Sequence, residues 1–408
     1  MRMPKRVQVF VAGILGSAGL FAIVAAAWPA QAADDLVASV RRHLRAGEIA
    51  YVIDASQQPL VAIGATSSFV PASTLKVFTA LLVREHLGLA GRFRTEFYLD
   101  DGWVVVRGFG DPYLVSEEIT AAAGRLAHVL AGVKPVGVAV DDSYFAPGLR
   151  VPGVGGSSNP YDAHNSAFAV NFNTIHVKRV GNSYVSAEKQ TPITPLAIKV
   201  AARRGVKQAE RISIGHTPEE IRRYAAEVLA AKLREAGLEV GDKIDSRKAP
   251  ADRPPVYVHS SSRTTGDCVA AMLDFSSNYI ANQLFLAVGA AVEGPPATIE
   301  KSTRVARRFI EARPDLTGLV VTEGSGISRA NKATAQALAA VLARFEGDRG
   351  LLPLEKGVAH KTGTLSDVRS LVGYLDSRSH GTVRFVIWLD GSGQQRRWRV
   401  LDELTSAL

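Results

Sequence analysis

Cysteine is nearly missing: Cys268 is the only one in 408 residues. No internal disulfide can form, so stability must come from packing. Metal-ligand spacing is missing too, because the nine histidines fall into no His-Glu-x-x-His or similar pattern, which argues against a metal site. Beyond residue 32 no apolar run is long enough to span a bilayer. Repeats and low-complexity tracts are lacking. So is any basic stripe interleaved with aromatics: pairs such as Arg203-Arg204 and Arg222-Arg223 are scattered, and nucleic acid is not an expected partner.

The chain does have a distinctive beginning. Arg2, Lys5 and Arg6 precede an apolar stretch from Val7 to Trp28, followed by Ala30-Gln31-Ala32 and then Asp34 and Asp35. This is the layout of a secretory signal peptide over residues 1–32, with cleavage expected after Ala32 and retention as an anchor as the alternative. The expected location is periplasmic or otherwise extracytoplasmic. The formal charge of +9 falls to about +6 without the signal, which carries three cations and no acid. A basic exported protein suits an anionic envelope polymer, or peripheral contact with a membrane surface.

Both ends of the remaining chain read as one α+β domain. A helix over 34–45 and strands over 50–54 and 60–63 open it; strands over 370–375 and 383–389 and a helix over 396–404 close it. These elements predict one antiparallel sheet with the terminal helices on a face. The domain is expected to occupy 33–96 and 258–408. Between 97 and 257 the texture changes to an inserted α/β module of one or two subdomains, with strands at 103–107, 137–140 and 174–179. It also holds a loop over 147–165 rich in Gly, Pro, Ser and Asn, and a return linker over 249–255 with three prolines. Thr217-Pro218-Glu219-Glu220 predicts a helix start, with Thr217 as cap and Glu220 completing a capping box.

Three short motifs carry chemistry. Ser73 and Lys76 follow Pro71-Ala72 and open an apolar helical run, so the spacing puts both side chains on one helix face. A serine hydroxyl needs a neighbouring base, and Lys76 can serve if burial or a second cation lowers its pKa. The backbone amide at the helix start is placed to help hold an oxyanion. A second match, Ser186 to Lys189, runs into Gln190-Thr191-Pro192, where no helix can start, and reads as a solvated strand end. Ser276-Ser277-Asn278 lies between helical patterns over 267–273 and 280–288. Its counterpart Ser157-Ser158-Asn159 lies in the glycine-rich loop and reads as a turn. Lys361-Thr362-Gly363 is a strand-like segment entering a turn, suited to an extended peptide ending in a carboxylate, with Gly363 permitting close approach.

In this order the motifs resemble those of penicillin-binding proteins and serine β-lactamases. The closer resemblance is to D-alanyl-D-alanine carboxypeptidase/endopeptidases of the class C low-molecular-mass penicillin-binding type. It rests on PASTLKVFTA from Pro71, RGFGDPYL from Arg107, VDDSYFAPG from Val140, NPYDAHNSAFAVNFNTIHV from Asn159, EGSGISR from Glu323 and HKTGTLSDVRSLVGYLDS from His360. The large module between the first two motifs marks that family off from β-lactamases.

The resemblance implies a β-lactamase/transpeptidase-like fold, no cofactor, peptidoglycan stem peptides as substrate and β-lactams as acylating inhibitors. It implies Ser73 as nucleophile, Lys76 as base and Ser276 as proton relay. Asn278 would bind the substrate backbone, Lys361 and Thr362 the terminal carboxylate, and the N–H groups of Ser73 and Thr364 the oxyanion. Glu323 stands where the family usually has Asp. Ser366 stands where some members carry a longer side chain that reads diaminopimelate, which leaves Arg329 and Asp141 or Asp142 as the expected side-chain contacts. Competing readings are a serine β-lactamase, an inactive cell-wall binding protein on the same fold, and a Ser-His-Asp hydrolase using Ser325. The last lacks the Gly-x-Ser-x-Gly setting.

Overall fold

The structure is a computed structural model that describes residues 30–408. The apolar stretch Val7–Trp28 lies outside the described residues. In chain order the first elements are α1 (Ala30–Arg42), β1 (Ile49–Ile53), β2 (Pro59–Ile63), α2 (Lys76–Leu87), β3 (Arg92–Asp100), β4 (Trp103–Gly108), α3 (Ser116–Val129) and β5 (Gly137–Asp141). There follow β6 (Thr174–Val180), β7 (Ser183–Ser186), α4 (Pro195–Arg204), β8 (Glu210–Ser213), α5 (Pro218–Glu235), β9 (Lys243–Ser246) and β10 (Tyr257–Thr264). The chain ends with α6 (Thr265–Asp274), α7 (Asn278–Glu293), α8 (Ile299–Glu311), α9 (Ala335–Phe345), β11 (Leu354–Glu355), β12 (Val358–Leu365), β13 (Val368–Ser377), β14 (Gly381–Asp390) and α10 (Gln394–Ala407).

The two chain ends form one antiparallel sheet of order β11-β12-β13-β14-β1-β2. Its strands alternate between two buried faces, as the period of two requires. In β1, Ala50 and Val52 pack with Leu36 and Val40 of α1 and Val400, Leu401 and Leu404 of α10. Ile49, Tyr51 and Ile53 face the other way, into a core with α2, α6, α7, α8 and α9. The sheet is therefore sandwiched between terminal helices and a central helical layer, an α+β arrangement.

Between α2 and α6 lie two further sheets, a mixed one of order β10-β3-β4-β5-β9 and a three-stranded one of order β7-β6-β8. They share a core with α3, α4 and α5, in which Phe97, Phe168 and Tyr224 are fully buried. Residues 97 and 257, the expected edges of the insertion, pair with each other across β3 and β10, and that ladder runs on to Arg92 and Thr264.

Two local details differ from expectation. Ser73 lies in a 3₁₀ turn over Ala72–Leu75, and α2 proper begins at Lys76. At the start of α5, Thr217 Oγ1 accepts the Glu220 N–H at 3.2 Å, but the Glu220 carboxylate takes the N–H of His216 at 3.1 Å. Only half of the capping box forms there, because the carboxylate reaches one residue further back.

Candidate active site

The site assembles where the 3₁₀ turn, the α6–α7 turn and β12 meet. Lys76, fully buried, donates from Nζ to Ser73 Oγ at 2.8 Å, Asn278 Oδ1 at 2.9 Å and the Ser325 carbonyl at 2.7 Å. A neutral amine keeps two protons, and Asn278 and Ser325 can take both. The lone pair is then left facing the Ser73 hydroxyl. Burial first, and the Lys361 cation second, hold the Lys76 amine well below the ordinary lysine range, while the Glu323 carboxylate opposes them.

Lys361 is almost completely buried on β12. Its Nζ donates to Ser276 Oγ at 2.9 Å and the Thr362 carbonyl at 3.1 Å. Burial, reinforced by Arg397 and opposed by Asp274, brings its pKa down to about 8. Ser276 is therefore bonded to Lys361, whereas Lys76 is bonded to Asn278. The intervening Ser277 caps α7, its Oγ accepting the Ile280 N–H at 3.2 Å, and Ser276 has φ +53°, a left-handed conformation uncommon outside glycine. The Ser-Ser-Asn segment thus divides its labour: one serine turns the chain, the next starts the helix, and Asn278 meets Lys76.

Gly363 lies where a Cβ would come within 2.2 Å of Ser370 Oγ and 2.8 Å of the Pro71 carbonyl. That brings β12 directly against the turn bearing Ser73. Thr362 and Thr364 flank it on the same strand, paired with Leu371 and Arg369 of β13.

One residue the sequence reading treated only as a conservative change does more. Glu323 is fully buried, and its carboxylate accepts from Ser325 N (2.7 Å), Ser325 Oγ (2.6 Å), Gly326 N (2.7 Å) and Asn331 Nδ2 (2.6 Å). These bonds fold the loop whose Ser325 carbonyl receives Lys76. Asn282 Oδ1 accepts the Gly324 N–H at 2.8 Å, and Thr79 Oγ1 donates to the Gly324 carbonyl at 2.6 Å. Gly326, at φ +83°, sits where a Cβ would lie 1.9 Å from the Ala72 carbonyl. The signal in the sequence was an acid directly before Gly-Ser-Gly.

The other expected residues lie apart from Lys76. Arg329 is half exposed and pairs with Asp367 at 2.7 Å, with a bond to Ser366 Oγ at 2.8 Å, on the turn that follows β12. Asp141 is buried, its carboxylate accepting the N–H groups of Ser143 (3.0 Å) and Ala249 (2.9 Å). Asp142 pairs with Arg222 at 3.2 Å. Ser186 bonds Glu188 at the end of β7, and Ser157 bonds Asp162. The Ser325 hydroxyl is committed to Glu323, and among the described residues no histidine bonds to it. Among the described residues no group of three or more His, Cys, Asp or Glu could hold a metal ion.

Comparison with known proteins decides what this arrangement belongs to. The model of the D-Ala-D-Ala carboxypeptidase 3 (S13) family matches residues 36–213, 202–352 and 344–406. The chain belongs to that family. It is accordingly a serine-type hydrolase of the D-alanyl-D-alanine carboxypeptidase class. Among curated proteins it is similar to D-alanyl-D-alanine carboxypeptidase DacB of Haemophilus influenzae, at 25% identity over 78% of this chain and 80% of that one. It is also similar to a carboxypeptidase of Mycobacterium tuberculosis, at 24% identity over 83% of this chain and 75% of that one. In fold it matches the crystal structure of penicillin-binding protein 4 from Haemophilus influenzae with a TM-score of 0.72 and 19% identity, covering 90% of this chain and 99% of the other.

Proposed function

We propose that this S13 protein is exported, releases the terminal D-alanine of peptidoglycan stem peptides and cuts D-alanyl cross-links between them, through an acyl-enzyme on Ser73. The observation that carries the reading is the buried Lys76 amine, held below its usual range and within 2.8 Å of Ser73 Oγ. Neutral Lys76 takes the hydroxyl proton as Oγ attacks the D-alanyl carbonyl. The oxyanion is received by the N–H groups of Ser73 and Thr364. Asn278 aligns the substrate backbone, and the Lys361 cation with Thr362 receives the terminal carboxylate. Ser276, bonded to Lys361, passes a proton to the leaving amine. Water then attacks the acyl-enzyme and restores Ser73.

Support for the substrate comes from relatives named as D-alanyl-D-alanine carboxypeptidases. The structure of the Haemophilus penicillin-binding protein 4 with a bound β-lactam supports β-lactams as inhibitors. A β-lactam presents a strained amide beside a carboxylate, as the D-alanyl terminus presents a peptide bond. Residues 1–32 direct export, and the basic remainder meets an anionic polymer. The test is mass spectrometry after penicillin treatment. One adduct is expected on Ser73, and none in Ser73→Ala, which also loses peptidase activity. An adduct on Ser186 or Ser325 would overturn the assignment.

A further inference from the structure

Apart from the catalytic cluster, the loop over 142–150, the segment 164–166, the start of α5 and the end of β9 enclose a cavity of about 420 Å3. None of Ser73, Lys76, Ser276, Asn278 and Lys361 lines it. The volume falls within the range of small-ligand sites, roughly 300–1,000 Å3. Its charge is lopsided. Arg150, Arg222 and Lys248 line it against a single acid, Asp142. Asp142 is already paired with Arg222 at 3.2 Å, which leaves the other two cations uncompensated: neither Arg150 nor Lys248 has a hydrogen-bond or ion-pair partner among the described residues.

Two imidazoles stand on its wall. His164 and His216 meet edge to face with ring centroids 5.5 Å apart. His164 Nε2 and His216 Nδ1 are buried without a protein partner. Phe145 and Ile221, both buried, supply apolar wall. Two cations without a protein partner beside an apolar wall describe a receptor for oxyanions carried on short carbon chains.

We propose that this cavity is a second binding site, which takes the carboxylates of a stem peptide other than the one being cleaved. That ligand class rests on the proposed function; the anion preference rests on the cavity alone. The cavity is also tied to the catalytic helix. Asn165 on its wall donates to the Tyr279 carbonyl at 3.0 Å and to Gln283 at 2.8 Å, and the Ser166 carbonyl accepts from Gln283 at 2.6 Å. Both partners lie on α7, whose first residue is Asn278. A peptide held here would be a neighbouring strand of the same network, kept close to the site while its partner is cut.

The test uses calorimetric titration of the full chain with the tripeptide L-alanyl-γ-D-glutamyl-diaminopimelate, which lacks the D-alanyl bond, and separately with inorganic phosphate. Protein is used with and without prior penicillin treatment. The tripeptide is expected to bind treated and untreated protein alike. Arg150→Ala and Lys248→Ala, both at exposed positions, should each weaken it about tenfold, the value of one charge-assisted hydrogen bond. Binding lost on penicillin treatment, affinity unchanged in both variants, or phosphate binding in place of the tripeptide would each overturn the proposal. Penicillin labelling, read by mass on the same samples, tests the Ser73 reading separately, and both variants should label at the wild-type rate.

Discussion

A lysine amine without exposed surface gives up its proton more readily than one in water, because burial penalises the cation. At Lys76 the Lys361 cation adds to that pressure and the Glu323 carboxylate resists it. If acylation needs the neutral amine, its rate climbs with pH through the Lys76 pKa. Lys361→Ala removes a repelling cation, so the acid limb of acylation rate against pH moves to higher pH. The rate at neutral pH should fall roughly hundredfold, the scale of losing one preorganised charge. Glu323→Gln removes the opposing charge and moves the same limb to lower pH. Stopped-flow acylation with a chromogenic cephalosporin reads both, and limbs moving in the same direction would end the electrostatic account. Because Lys361 is held at about 8, capture of the terminal carboxylate should weaken above that pH, seen as a rising KM. At this scale Ser73 and Lys76 were legible as a spacing, and their atoms do lie 2.8 Å apart. Glu323 was not, because the amides of Ser325, Gly326 and Ser328 make up most of its donors, and a sequence does not display where backbone amides point.

Among elements, the contact between β12 and the 3₁₀ turn bearing Ser73 leaves little room. Gly363 and Gly326 press on the turn from two sides, and Ser370 Oγ donates to the Pro71 carbonyl at 2.7 Å. From the far side of the sheet, Arg397 of α10 reaches the Gly363 carbonyl at 3.2 Å. Gly326→Ala combines a positive φ with a Cβ 1.9 Å from a carbonyl oxygen. It should cost at least about 2 kcal/mol of unfolding free energy, measured in urea. Gly363→Ala keeps an ordinary φ and instead pushes β12 off the turn. We expect acylation to slow about a hundredfold, the cost of misplacing reacting atoms by roughly 1 Å, with a smaller loss of stability. Wild-type acylation in Gly363→Ala would show that the turn is not held by that strand. The strands and terminal helices were legible because their apolar periods are strong. The capping of α5 was read in full but forms by half, while Thr264 and Asp267 form a complete box at α6. Both starts carry the same cap type, and only side-chain reach separates them.

At the scale of the whole molecule, the module between α2 and α6 contributes to the site's border. The Tyr161 carbonyl, on the glycine-rich loop over 147–165, accepts from Asn278 Nδ2 at 3.4 Å, and the Tyr161 side chain is exposed. That contact could not be read from sequence, since it joins residues 117 positions apart. Ser366 is short, and Arg329 is engaged with Asp367, so neither offers a free long side chain. Terminal D-alanine release and cross-link cleavage attack the same D-alanyl carbonyl and differ only in the amine expelled, so one acyl-enzyme serves both. On the proposed roles, Lys76, Ser276 and Lys361 would supply the protons for either reaction. Purified sacculi digested by this enzyme should therefore yield free D-alanine and lose cross-linked dimers together, equally with and without EDTA. Selectivity for diaminopimelate over lysine should be modest, because Arg329 must leave Asp367 to read the extra carboxylate. Chromatography of the products decides each half: dimers that persist beside normal D-alanine release would remove the endopeptidase activity, and inhibition by EDTA would remove the lysine-based mechanism.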